Sequence, residues 1–168
     1  MIESRTQPDP ETGTASGALR WQLCSFDQLA PAELYAVLAA RVAVFVVEQE
    51  CPYPELDGRD AEALHLTAWH GKFDVAAYAR ILPPGTRFAE PSIGRVLTAA
   101  SHRRTGLGRV LMQRAIEATA ARFPGRDIRI SAQRHLGDFY GELGFIVDSE
   151  PYDEDGIAHV DMRLSAPG

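Results

Sequence analysis

Ser92–Phe123 reads SIGRVLTAASHRRTGLGRVLMQRAIEATAARF. Ile93–Thr98 has the make-up of a strand. A short polar loop follows, Arg103-Arg104-Thr105-Gly106-Leu107-Gly108. From Leu107 the apolar residues Leu107, Val110, Leu111, Ala115 and Ala118 recur at helical spacing. The order is therefore strand, glycine turn, helix. Glycine lacks a Cβ, so the turn can bend sharply and a ligand can approach its backbone. The first N–H groups of a helix have no intrahelical partner, and the helix dipole places partial positive charge there. Together these features make an anion site suited to a pyrophosphate.

A surface turn with capping glycines would look the same in isolation. Two rival phosphate motifs fail. A P-loop needs Lys-Ser or Lys-Thr after its second glycine, and the chain contains neither pair. A dinucleotide fingerprint needs a third glycine at position 111, which is Leu111. What remains is Arg-x-x-Gly-x-Gly between a strand and a helix.

Upstream, residues 1–17 are rich in Pro, Gly, Ser, Thr and acid, and are expected to form a disordered tail. Leu19–Phe26 alternates as a first strand through Leu19, Trp21 and Leu23. A helix is expected from Pro31 to about Val47, with Leu34, Val37, Leu38, Arg41, Val42 and Phe45 at helical spacing. The block from Glu48 to Asp60 fits neither period and is expected as a loop. Loops of that length in a compact domain are often functional.

Leu64–His70 and Val75–Leu82 read as a hairpin around Gly71-Lys72-Phe73-Asp74. After Pro124-Gly125 come a strand (Asp127–Ala132), a helix (Arg134 to about Leu143) and two strands (Phe145–Ser149, Ala158–Leu164). An acidic turn, Tyr152–Gly156, separates the last two.

The chain has 168 residues, 45 % of them apolar, which suits one packed domain. The formal net charge is −6, against the basic footprint of a nucleic-acid binder. No apolar run approaches the roughly 20 residues of a membrane span, and no secretory signal is visible. Cys24 and Cys51 are the two cysteines, without metal spacing. A cytoplasmic protein with reduced thiols and no metal is expected.

The loop Arg103–Gly108 resembles the coenzyme A pyrophosphate loop of the GNAT N-acetyltransferases, Gln/Arg-x-x-Gly-x-Gly/Ala. A second motif of that superfamily, Phe-Tyr-x-x-x-Gly-Phe, is matched by Phe139-Tyr140-Gly141-Glu142-Leu143-Gly144-Phe145. The blocks Arg41–Tyr53, Asp57-Gly58, Ser131-Ala132-Gln133 and Glu154–His159 look like the ElaA-type members. Arg104 stands where many relatives have Gly, and Ala99-Ala100 replaces a common Ser/Thr-Pro pair. Gln133 and Leu136 replace a frequent Asn and Ala.

The resemblance covers about residues 19–164. It implies an α/β (α+β) GNAT domain at residues 18–166, with a mixed sheet of six to seven strands flanked by helices. It implies acetyl transfer from acetyl-CoA to a small-molecule or peptide amine by direct attack in a ternary complex, by a monomer or homodimer. No nucleic-acid or membrane partner is expected. A non-catalytic acyl-CoA sensor on the same fold is the alternative.

By the same resemblance, Arg103, Arg104, Thr105, Gly106, Leu107, Gly108 and Arg109 cradle the pyrophosphate. The backbone of Leu97, Thr98 and Ala99 pairs the pantetheine arm, which Gln133 also contacts. Tyr140 is the expected acid for the leaving thiolate, and it too lies against the cofactor. Glu48, His65 and Glu142 are candidate bases for the amine; free histidine, with a pKa of about 6.5, is the best placed by type. Phe45, Gln49, Cys51, Tyr53, Asp57 and His159 are expected to shape the acceptor side.

Overall fold

The computed structural model describes residues 17–167. The expected tail thus lies outside the described residues, apart from Gly17. Strands β1 (Arg20–Ser25), β2 (Leu64–His70), β3 (Asp74–Leu82), β4 (Ser92–Thr98), β5 (Ile128–Gln133), β6 (Ile146–Val147), β7 (Tyr152–Glu154) and β8 (Ile157–Leu164) form one mixed sheet. The order is β1-β2-β3-β4-β5-β8-β6, with β7 also paired to β8. The expected mixed sheet, of about six to seven strands, is present with eight, because the acidic turn is itself a short hairpin that adds β7. Its bend narrows to Asp155-Gly156, both with positive φ.

Helix α1 (Pro31–Val42) starts on Pro31, and Glu33 accepts from the Ala30 N–H at 3.0 Å. It gives way at Ala43–Glu48 to a π-helical turn, where the Gln49 N–H reaches back to Val44 O at 3.2 Å. The expected helix to Val47 is thus an α-helix plus a wider last turn. Such π segments are frequent at functional sites, and this one carries Phe45 and Glu48 to the cleft described below.

Helix α2 (Leu107–Arg122) buries Leu107, Leu111, Met112, Ala115 and Thr119. Val110, expected on this face, is exposed, and Met112 fills the core instead. Helix α3 (Gly137–Glu142) is shorter than expected, because its first turn, Arg134–Leu136, is 3₁₀.

Alternation along β4 sends Leu97 and Val96 to opposite faces. Leu97 packs with Val37 of α1, Trp69 and Tyr78. Val96 packs with the cluster that holds Leu111 and Met112 of α2 and Ile130 of β5. Both faces of the sheet centre are therefore covered, and β2 and β3 are buried almost throughout.

Candidate active site

Two irregularities in β4 build the site. The first is a bulge. Tyr78 lies opposite Leu97 but Arg80 lies opposite Gly94, so β4 carries one extra residue there. Arg95, inside the bulge, has φ +51°. Such a bulge bends its strand and re-aims a side chain. Here Arg95 Nε donates to Glu55 Oε1 at 2.9 Å.

The second is a splay. β4 and β5 run parallel but pair only at Ser92 and Arg129, then part toward their C-terminal ends. Between them opens a cleft of about 780 Å³, lined by residues of β4, β5, the π turn, the 49–59 loop and β8.

Ladder phase decides which β4 backbone groups face this gap. The Ala99 N–H donates to Ala76 O at 2.9 Å, within the sheet. Antiparallel pairs alternate between bonded and non-bonded, so Leu97, opposite Tyr78, is also spent on β3. Thr98 between them turns its N–H and C=O to the β5 side. This corrects the expectation for Leu97 and Ala99. Only Thr98 of the three offers backbone to the cleft, and the Leu97 side chain is core.

The Thr98 carbonyl accepts from Arg103 Nε at 3.0 Å. The other two Arg103 nitrogens hold both carboxylate oxygens of Glu48, at 2.6 and 2.9 Å. These hydrogen bonds hold the Glu48 carboxyl below its ordinary range.

Gly106, at φ +81°, immediately precedes α2, with no side chain capping the helix. A Cβ at Gly106 would project into open space, and one at Gly108 would meet Thr98 Oγ1 at 3.6 Å. The first amides of α2 are thus open beside Thr98, the arrangement an anion cradle requires. Thr105 Oγ1 donates to His102 O at 2.7 Å and tightens the turn, with Arg104 at φ +62°. Arg109 is ion-paired to Glu142.

Tyr140 of α3 lines the cleft while 7 % exposed. Phe139 and Phe145 pack edge-on against its ring. Burial pushes its hydroxyl up to about 12. Gln133 also lines the cleft and donates to Gln49 Oε1 at 3.3 Å, bridging β5 to the loop. Phe45, Glu48, Gln49, Cys51, Tyr53, Asp57 and His159 share the lining.

His65 is elsewhere. It is fully buried, with Nδ1 at 2.8 Å from the Tyr78 hydroxyl and Nε2 at 2.9 Å from Asp60 O. Both ring nitrogens are engaged in the core, and burial holds its pKa down. It is removed as a base for a ligand in the cleft. Glu142, on the exposed side of α3, does not line the cleft either.

Residues 35–166 match the family model described as the acetyltransferase (GNAT) domain. The chain belongs to the GNAT family. A UPF0039 protein of Synechocystis is 40 % identical over 149 residues, 89 % of this chain and 97 % of that one. Protein ElaA of Escherichia coli is 38 % identical over 146 residues, 86 % of this chain and 95 % of that one. The crystal structure of an acyl-CoA N-acyltransferase from Pseudomonas aeruginosa superposes with a TM-score of 0.84 at 41 % identity. It covers 88 % of this chain and 100 % of that one. This GNAT domain is thus ElaA-like and has the fold of an acyltransferase.

One part of this GNAT site is not visible in sequence motifs. Arg41 Nε and Nη1 donate to Glu55 at 2.7 Å and Asp60 at 2.6 Å. Arg80 grips both Asp57 oxygens at 2.8 Å and reaches Asp60 at 3.1 Å. Arg95 and the Tyr53 hydroxyl also donate to Glu55. Three guanidinium groups balance three carboxylates, and the network pins the 49–60 loop to α1, β3 and β4. Burial alone would raise the Asp57 carboxyl, but Arg80 outweighs it and holds it well below the usual range. One sequence signal existed: Arg41 falls on the apolar face of α1, and an acid-rich loop follows.

Proposed function

We propose that this GNAT protein transfers an acetyl group from acetyl-CoA to a primary amine in a ternary complex. The observation that carries the reading is the splay of β4 from β5 beside the open N-terminus of α2. The donor phosphates would lie on the amides of Gly106, Leu107 and Gly108, and the pantetheine along Thr98 and Gln133. The donor supplies an activated acyl carbon, a thioester carbonyl. The Thr98 N–H is directed at the gap, where it can polarise that carbonyl as charge develops on oxygen.

Tyr140 stands on the α3 side of the cleft. Its raised pKa keeps the hydroxyl protonated at neutral pH, so it is present as a hydrogen-bond donor and is not a ready acid. It first stabilises charge on the departing sulfur and releases its proton late. Cys51 needs no nucleophilic role, because a ternary complex forms no acyl-enzyme. Its Sγ lies 3.4 Å from Asp155 O and ties the loop to the β7–β8 turn.

The test is a panel of amines, peptide N-termini and lysine peptides, read by release of the CoA thiol. Turnover on at least one acceptor supports transfer. Tight CoA binding without turnover on a broad panel would make the domain an acyl-CoA sensor.

A further inference from the structure

An amine acceptor is protonated at neutral pH and must lose a proton before it attacks. Of the three bases expected from sequence, His65 is in the core, Glu142 is outside the cleft, and both oxygens of Glu48 are held by Arg103. A group not expected in that role is better placed.

His159 lies on β8, directly opposite Gln133 of β5 and Tyr152 of β7. Paired residues share a sheet face, so its ring stands beside Gln133 on the cleft side, and it stacks on Tyr152 at 6.0 Å. Its Nδ1 lies 2.8 Å from the Ile157 carbonyl. A carbonyl only accepts, so in the neutral ring Nδ1 carries the hydrogen and Nε2 keeps its lone pair. Nε2 lies 3.6 Å from Glu154 Oε2, too long for a hydrogen bond between them. Two acceptors therefore lie side by side on residues of the cleft wall. A ligand that donates to both, such as an alkylammonium, satisfies them.

The surrounding groups hold this geometry. Arg87 pairs with the other Glu154 oxygen at 3.0 Å, and Ser131 Oγ lies 3.4 Å from Oε2. The Tyr152 hydroxyl is anchored on Asp161 at 2.8 Å. The Asp155 backbone is tied to Cys51.

We propose that His159 is the general base of this site and that Glu154 is the carboxylate that receives the acceptor as a primary ammonium. This rests on the acetyl-transfer reading. The ammonium gives one proton to His159 Nε2, which passes it to solvent. The freed lone pair forms the C–N bond to the thioester carbonyl carbon. The C–S bond then breaks, with its electron pair leaving on sulfur. The second proton lost from nitrogen balances the one sulfur gains through Tyr140.

The experiment compares the wild type with His159→Gln, His159→Ala and Glu154→Gln, using acetyl-CoA and the amine the wild type turns over fastest. His159→Gln is expected to lose about 10²-fold or more in kcat with CoA affinity unchanged. Added imidazole is expected to restore part of the turnover of folded His159→Ala, which a packing role would not allow. Glu154→Gln is expected to raise the amine KM more than it lowers kcat. Near-full kcat in His159→Gln, or no imidazole rescue of folded His159→Ala, would overturn the assignment and leave acetyl transfer standing. A wild type that binds CoA but turns over no amine would overturn both.

Discussion

Arg103 holds both carboxylate oxygens of Glu48, at 2.6 and 2.9 Å, and so ties the glycine turn to the π turn that ends α1. The same guanidinium bonds the Thr98 carbonyl at the mouth of the splay. One side chain thus links the glycine turn, β4 and the π turn. On the proposed reading, a donor pyrophosphate would compete with Glu48 for it.

Glu48→Gln should therefore tighten CoA binding. Exposed ion pairs are worth about 0.2–1 kcal/mol, so the Kd should fall by no more than about 5-fold. Turnover should change little, because the proposed base is His159 and not Glu48. Calorimetric titration and steady-state rates check both. A collapse of kcat would restore Glu48 as the base.

Gly108→Val should weaken CoA binding by more than about 10-fold while the protein stays folded, because a branched side chain would crowd the amides and Thr98. Gly106→Ala is the contrasting variant. Its φ of +81° strains any Cβ, so it should cost about 1 kcal/mol of stability. Unchanged CoA affinity in folded Gly108→Val would remove the phosphate cradle from this loop.

Tyr140→Phe keeps the ring packing on Phe139 and Phe145 and removes one donor. Loss of a single donor to developing charge costs about 10²-fold or more in rate. CoA affinity and Tm should hold. With the hydroxyl raised to about 12, the falling alkaline limb of the rate profile should not come from its ionisation below pH 10. Full turnover in the variant would leave Tyr140 a packing residue.

Acid stability should fall in two stages. Burial depresses the folded-state pKa of His65. The unfolded chain takes that proton first, so stability declines as pH drops below about 6.5. Asp57 is depressed by Arg80, so its contribution is intact above about pH 4 and lost below it. His65→Gln should flatten the first stage. Asp57→Asn should cost about 3 kcal/mol at neutral pH, or about 9 °C in Tm, by leaving Arg80 underpaired. Thermal melts between pH 3 and 8 test this; a His65→Gln profile identical to wild type would contradict the first stage.

The glycine turn and α2 were legible because their determinants are local. A positive φ at Gly106 and an apolar spacing from Leu107 act within one turn of helix. Val110 was misplaced because a one-residue rotation of the face is decided by what it packs on. The role expected of Leu97 and Ala99 failed for a related reason: strand character is local, but ladder phase depends on Ala76 of another strand.

By itself the sequence determined the order of elements, the glycine turn and the family, since these follow from short-range spacing and adjacent motifs. Tertiary structure alone decided which groups face the cleft. The β4 bulge aims Arg95 at Glu55, the splay frees Thr98, and pairing across β5, β8 and β7 brings Gln133, His159 and Tyr152 onto one face. Arg41, Arg80 and Arg95 meet Glu55, Asp57 and Asp60 only because low-dielectric burial makes each charge costly without its partner. Such pairings are set by register between segments far apart in the chain, and no local pattern encodes that register.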